Sequence, residues 1–136
     1  MDNVGGFILN DRKLTALRIA YEEAGILLSS PHWKGESDDK PFYEFCIENK
    51  VTLKPQDLHF FSWHSAPPGI PNLFNVAFFF HNLQDPDIKL NINTEKFEDY
   101  EWLDPLAAMK RYDTGEWKFI PPVLYTLYEL AHFDNV

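Results

Sequence analysis

The stretch from Leu14 to Leu28, Leu-Thr-Ala-Leu-Arg-Ile-Ala-Tyr-Glu-Glu-Ala-Gly-Ile-Leu-Leu, constrains this chain more than any other. Leu14, Leu17 and Tyr21 recur at the spacing of one helical face, and Ala16 and Ala20 allow a neighbour to approach closely. The pattern predicts a short amphipathic helix with one buried stripe. Asn10 or Asp11 is its expected cap, and Gly25 is a natural C-terminal stop. The polar face holds the one cluster in the sequence spaced for chemistry. Arg18 and Glu22 stand one turn apart, so the guanidinium can fix the carboxylate while Glu23 projects beside it. Two carboxylates held in this way can bind a hard divalent cation. The plainer alternative is a helix ion pair worth roughly 0.2–0.5 kcal/mol beside a solvated glutamate.

What surrounds this helix is bounded by composition. A chain of 136 residues with 45% hydrophobic and 16% aromatic content suits one globular domain with ample core material. Its net charge of −9 argues against a broad basic face for nucleic acid, while a bound metal could still offset the charge locally for a phosphate ligand. The single cysteine, Cys46, excludes an internal disulfide and a cysteine-based zinc site, so a reducing, intracellular compartment is the simplest expectation. No apolar run approaches the roughly 20 residues needed to cross a bilayer. The start, Met1-Asp2-Asn3, lacks the basic region of a secretory signal.

Past the helix, the polar segment 29–40 reads as a loop. A helix is expected from Pro41 to Asn49, with Asp39 as cap and Phe42, Phe45 and Cys46 inward, Cys46 being a packing thiol. Strands are expected at Leu58 to Ser65, Leu73 to Asn82, Ile88 to Ile92 and Phe97 to Leu103, the second as a run buried on both faces. Asp104-Pro105 opens a short helix with Leu106 and Met109 inward, and Gly115 ends the turn that follows. Pro121-Pro122 opens the last helix, with Val123, Leu124, Leu127 and Leu130 as its apolar face. His32, His59, His64, His81 and His132 lack ligand spacing and read as hydrogen-bonded or surface side chains. The tryptophans read as core or interface residues.

The frame Arg18-Ile19-Ala20-Tyr21-Glu22-Glu23-Ala24-Gly25-Ile26 resembles the second half of a Nudix box, Arg-Glu-hydrophobic-x-Glu-Glu-x-Gly-hydrophobic, with Ile19 in place of the first carboxylate. Gly5-Gly6 resembles the glycine pair that opens the Nudix loop, and Asn10 stands where the box has another glutamate. Three further stretches resemble the acyl-CoA and CoA diphosphatase branch of that family. They are Phe42-Tyr43-Glu44-Phe45-Cys46 through Leu58, Ser62-Trp63-His64-Ser65-Ala66-Pro67 through Phe79, and Glu101-Trp102-Leu103-Asp104-Pro105 to Ile120-Pro121-Pro122. Asn72, Leu73 and Asn75 stand where the branch has two arginines and an aspartate.

The resemblance implies an α+β fold, an α-β-α sandwich about a mixed central sheet. It also implies an N-terminal truncation, because the strands that normally precede the glycine pair are missing here. Activity would imply magnesium-dependent attack of water on a diphosphate. Glu22 and Glu23 would hold the metal, Glu98 or Asp99 would complete the set or act as base, and Arg18 would orient a carboxylate. A helix turns about 100° per residue, so Ile19 shares the face of Glu22 and Glu23 and removes one corner of that site. The leading expectation is therefore an inactive Nudix-like domain without cofactor, serving as an accessory subunit or interaction module of a larger, mitochondrial complex. Another protein chain would cover the sheet edge before Gly5. The rival is a magnesium-dependent hydrolase of CoA-type or nucleoside diphosphates, and binding of such a ligand without hydrolysis is a third outcome. Neither nucleic acid nor a membrane span is expected.

Overall fold

In a computed structural model of the chain, the described residues are 2–30, 40–65, 67–69, 75–83 and 90–133, with backbone alone for 2–8 and 29–30. They form α1 (Asp2–Ala24), β1 (Ser29–Ser30), α2 (Phe42–Glu48), β2 (Thr52–Leu53), a 3-10 turn (Pro55–Asp57), β3 (His59–His64), β4 (Val76–Phe80), α3 (Pro105–Asp113) and α4 (Pro121–Leu130). The class is α+β, as the sequence predicts. β1 pairs antiparallel with β2, Ser29 opposite Leu53 and Ser30 opposite Thr52, and β3 pairs with β4. The described strands thus make two separate two-stranded sheets in place of one mixed central sheet. The chain divides into two compact units, Met1–Phe60 with Phe79–Tyr100, and Phe61–Phe78 with Glu101–Val136.

The first unit holds the core. Leu17 and Tyr21 of α1 are buried with Leu27, Phe42, Phe45, Cys46 and Leu58, and Leu14, Ala16, Leu28, Val51, Leu53 and Phe79 pack around them. Tyr21 is the pivot, its ring centroid 5.3 Å from that of Phe42 and 5.1 Å from that of Phe45. The expected stripes of α1 and α2 therefore face each other. The start of α1 differs from expectation, because the helix already runs through Gly5-Gly6 and Asn10. Two helical glycines cost about 1 kcal/mol each relative to alanine. Asp11 is an interior residue whose carbonyl accepts the Thr15 hydroxyl at 3.1 Å, so neither it nor Asn10 caps the helix. No sheet edge is presented before Gly5, since the described residues there are helical.

The other end of α1 behaves as predicted. Gly25 takes φ +67°, and its N–H donates to the Tyr21 carbonyl at 3.0 Å, the left-handed termination that glycine favours. α2 is capped by Pro41 without a side-chain bond; Asp39 lies outside the described residues. It ends in a Schellman motif, with the Val51 N–H donating to Cys46 O at 2.9 Å and the Lys50 N–H to Ile47 O at 3.2 Å. Lys50 therefore sits at φ +51°. Burial pushes the Cys46 thiol up, away from a reactive thiolate.

The described residues of two expected strands, 90–92 and 97–103, form no strand. Residues 90–92 are irregular, and 84–89 lie outside the described residues. The Asn91 N–H is spent on α1, donating to the Ala24 carbonyl at 3.0 Å. Residues 97–103 are irregular because local bonds compete for the backbone: Asp99 Oδ1 accepts the N–H of Tyr100 at 2.8 Å. Trp102, with strand propensity, is 60% exposed.

The second unit pairs α3 with α4. Asp104 caps α3 as expected, accepting the Ala107 N–H at 2.8 Å, and Gly115 closes the next turn at φ +78°. Leu106, expected inward, is 64% exposed; Ala108 is the buried residue of this helix and Met109 is half-buried. The face Val123, Leu124, Leu127 and Leu130 of α4 is half-buried.

Candidate functional site

The cluster on α1 forms, and each of its carboxylates meets a cation. Arg18 Nη1 donates to Glu22 Oε2 at 3.0 Å along the helix, with both side chains partly exposed. Lys96 Nζ donates to Glu23 Oε1 at 3.1 Å across 73 residues of sequence. That second contact is built by the backbone. The end of a helix leaves carbonyls without intrahelical partners, and here the N–H groups of Asn91 and Asn93 donate to the carbonyls of Ala24 and Glu23 at 3.0 and 2.9 Å. Asn93 then opens a turn, its side chain accepting the Glu95 N–H at 3.0 Å and its carbonyl the Lys96 N–H at 3.0 Å. The turn delivers Lys96 to Glu23.

Gly25 makes this docking possible. A Cβ there would lie 2.8 Å from Asn91 Cβ and 2.9 Å from Asn91 O, closer than real side chains approach. Beside the docked segment is an open cavity of about 710 Å³, lined by Tyr21, Glu22, Lys40, Pro41 and residues 91–96. Lys40 is itself ion-paired with Glu48. The cavity therefore carries charges of both signs, most of them balanced locally.

The structure brings together Arg18, Glu22 and Glu23 but not the rest of the implied set. Ile19 is 42% exposed on the helix surface. Glu98 and Asp99 lie on the irregular segment, and among the described residues no group of three or more His, Cys, Asp or Glu side chains could hold a metal ion. Asn72 and Leu73 lie outside the described residues. Among the described residues a hard cation that needs several carboxylates finds two, both paired with side-chain cations, so those residues do not fit magnesium well.

Sequence reasoning missed Lys96 and the 91–96 segment. The signal was there in Asn91-Ile92-Asn93-Thr94, whose asparagines favour turns over a strand. It also missed an aromatic and charged grouping in the second unit. Arg111 donates to both oxygens of Glu101, at 2.7 and 2.9 Å, and its guanidinium carbon lies 4.5 Å from the Trp117 ring centroid. In the same unit Ser62 Oγ lies 3.2 Å from His64 Nε2, and the His64 ring stacks on Tyr125 at 6.3 Å. The remaining described histidines with bonds are structural, His81 and His132 donating Nδ1–H to the carbonyls of Asp57 and Tyr128 at 3.1 and 2.8 Å. No helix among the described residues is long and apolar enough to cross a membrane. Comparison with protein-family models, with curated proteins and with solved structures finds no match for this chain.

Proposed function

We propose that this chain is a Nudix-like interaction module, an accessory subunit of a larger protein assembly, in which the helix bearing Arg18, Glu22 and Glu23 is a scaffold. The observation that carries this reading is the use made of the two carboxylates. Glu22 is held by Arg18 at 3.0 Å and Glu23 by Lys96 at 3.1 Å, so both tie structure together rather than facing a common metal position. The surface of the second unit supports the same reading. Trp102, Leu106, Tyr112, Ile120, Tyr125, Tyr128 and Phe133 are exposed there, and Ala108 is the buried hydrophobic residue of its described part. Exposed aromatic and aliphatic side chains are what a partner-binding face is built from.

A second reading is kept by the cavity of about 710 Å³ beside Glu22, whose lining includes Lys40 and Lys96, each paired with a carboxylate that a phosphate would have to displace. It makes the chain a magnesium-dependent hydrolase, or a binder, of CoA-type or nucleoside diphosphates. The two readings separate in one assay. The purified chain is incubated with magnesium and a panel of such diphosphates; the module reading expects turnover no higher than that of Glu23→Gln. Turnover by the native chain that Glu23→Gln abolishes contradicts it.

A further inference from the structure

The exposed stripe of α4 has a defined chemistry. Tyr125 is 58% and Tyr128 55% exposed, and both fall with Glu129 on one face of the helix, at the three- and four-residue spacings that bring side chains together. From Phe119 to the last residue the sequence contains Glu129 and Asp134 and no lysine or arginine. The stripe is therefore aromatic and acidic, bounded by His132, whose ring meets that of Tyr128 at 4.7 Å, on a chain of net charge −9.

The same unit shows what such groups hold. Arg111 sits over Trp117 at 4.5 Å while the Glu101 carboxylate takes two of its N–H groups at 2.7 and 2.9 Å. An aromatic face with a carboxylate beside it fixes a guanidinium by cation–π attraction and charge-assisted hydrogen bonds together. Tyr125, with one ring face stacked on His64, Tyr128 and Glu129 offer that combination with their exposed surface, along a length of helix rather than at one point.

We infer that the Tyr125–Tyr128–Glu129 face of α4 docks an arginine- or lysine-bearing amphipathic segment of another protein. This rests on the interaction-module reading and names the chemistry of its partner. A second copy of the chain is disfavoured, because it would bring the acidic Glu129 face onto another chain of net charge −9. A nucleic acid is disfavoured on the same ground.

The test titrates the full chain with two synthetic helical peptides of identical leucine stripe, one flanked by arginines and the other by glutamates, and reads fluorescence anisotropy. The arginine peptide is expected to bind at least about tenfold more tightly, and less so as salt rises. Its affinity is expected to fall about tenfold in the double variant Tyr125→Ser/Tyr128→Ser and again in Glu129→Lys. Glu129→Lys is a surface change, so it keeps the test valid if the tyrosine variant folds poorly. Equal binding of the two peptides, no binding of either, or indifference to Glu129→Lys overturns the inference. So does self-association of the chain that the tyrosine substitutions abolish. Equal binding that still depends on the tyrosines leaves the module reading standing, whereas Glu23-dependent diphosphate turnover removes that reading whatever the peptides do.

Discussion

Gly25 is the residue on which the candidate site turns. It ends α1 in a conformation that L side chains rarely adopt, and it leaves room for Asn91, whose N–H then satisfies the Ala24 carbonyl. Gly25→Ala adds two costs at once, the left-handed backbone and a clash with the backbone of residue 91 that no rotamer relieves. We expect a loss of about 2–4 kcal/mol in urea unfolding. Gly25 was legible in the sequence as a helix stop; its second role was not, because a contact with a residue 66 positions away leaves no local pattern. The pairing of Arg18 with Glu22 was legible for the opposite reason, since i,i+4 neighbours on a helix meet whatever the rest of the chain does. The partner of Glu23 was not, since Lys96 reaches it only through a turn that Asn93 sets up.

Among the elements, α2, α3, α4 and β3 were readable because their signals are local: a proline at the first helical turn, a capping aspartate, a run of aromatic residues. The expected strand at 97–103, and the described end, 90–92, of the one at 88–92, failed where side chains and helix ends competed for the backbone. Alternation of apolar and polar residues says which face could be buried, but a strand also needs a neighbour to receive its hydrogen bonds. Residues 91 and 93 give theirs to α1 instead. α2 offers a test of how these elements end. Its Schellman motif places Lys50 at φ +51°, a position where a Cβ is a liability. Lys50→Gly is expected to stabilise the chain by about 1 kcal/mol, read as a higher urea midpoint with unchanged slope.

At the scale of the whole molecule, composition correctly promised a core, and the first unit contains it. Composition could not say that the aromatic residues of the second unit would stay largely at the surface, because hydrophobicity records what prefers to be buried and not what is available to cover it. That surface and the locally balanced charges of α1 point to the same account, a scaffold that presents faces to partners. Its central claim concerns Glu22 and Glu23, and the measurement that meets it most directly is the thermal midpoint of the chain during a magnesium titration. A cation bound by the folded chain alone stabilises it by about 2.7 kcal/mol at a hundredfold excess over its dissociation constant, which moves the midpoint by several degrees. The native chain and Glu23→Gln are expected to respond alike, with no saturable rise. A midpoint that climbs with magnesium in the native chain and stays fixed in Glu23→Gln would contradict it.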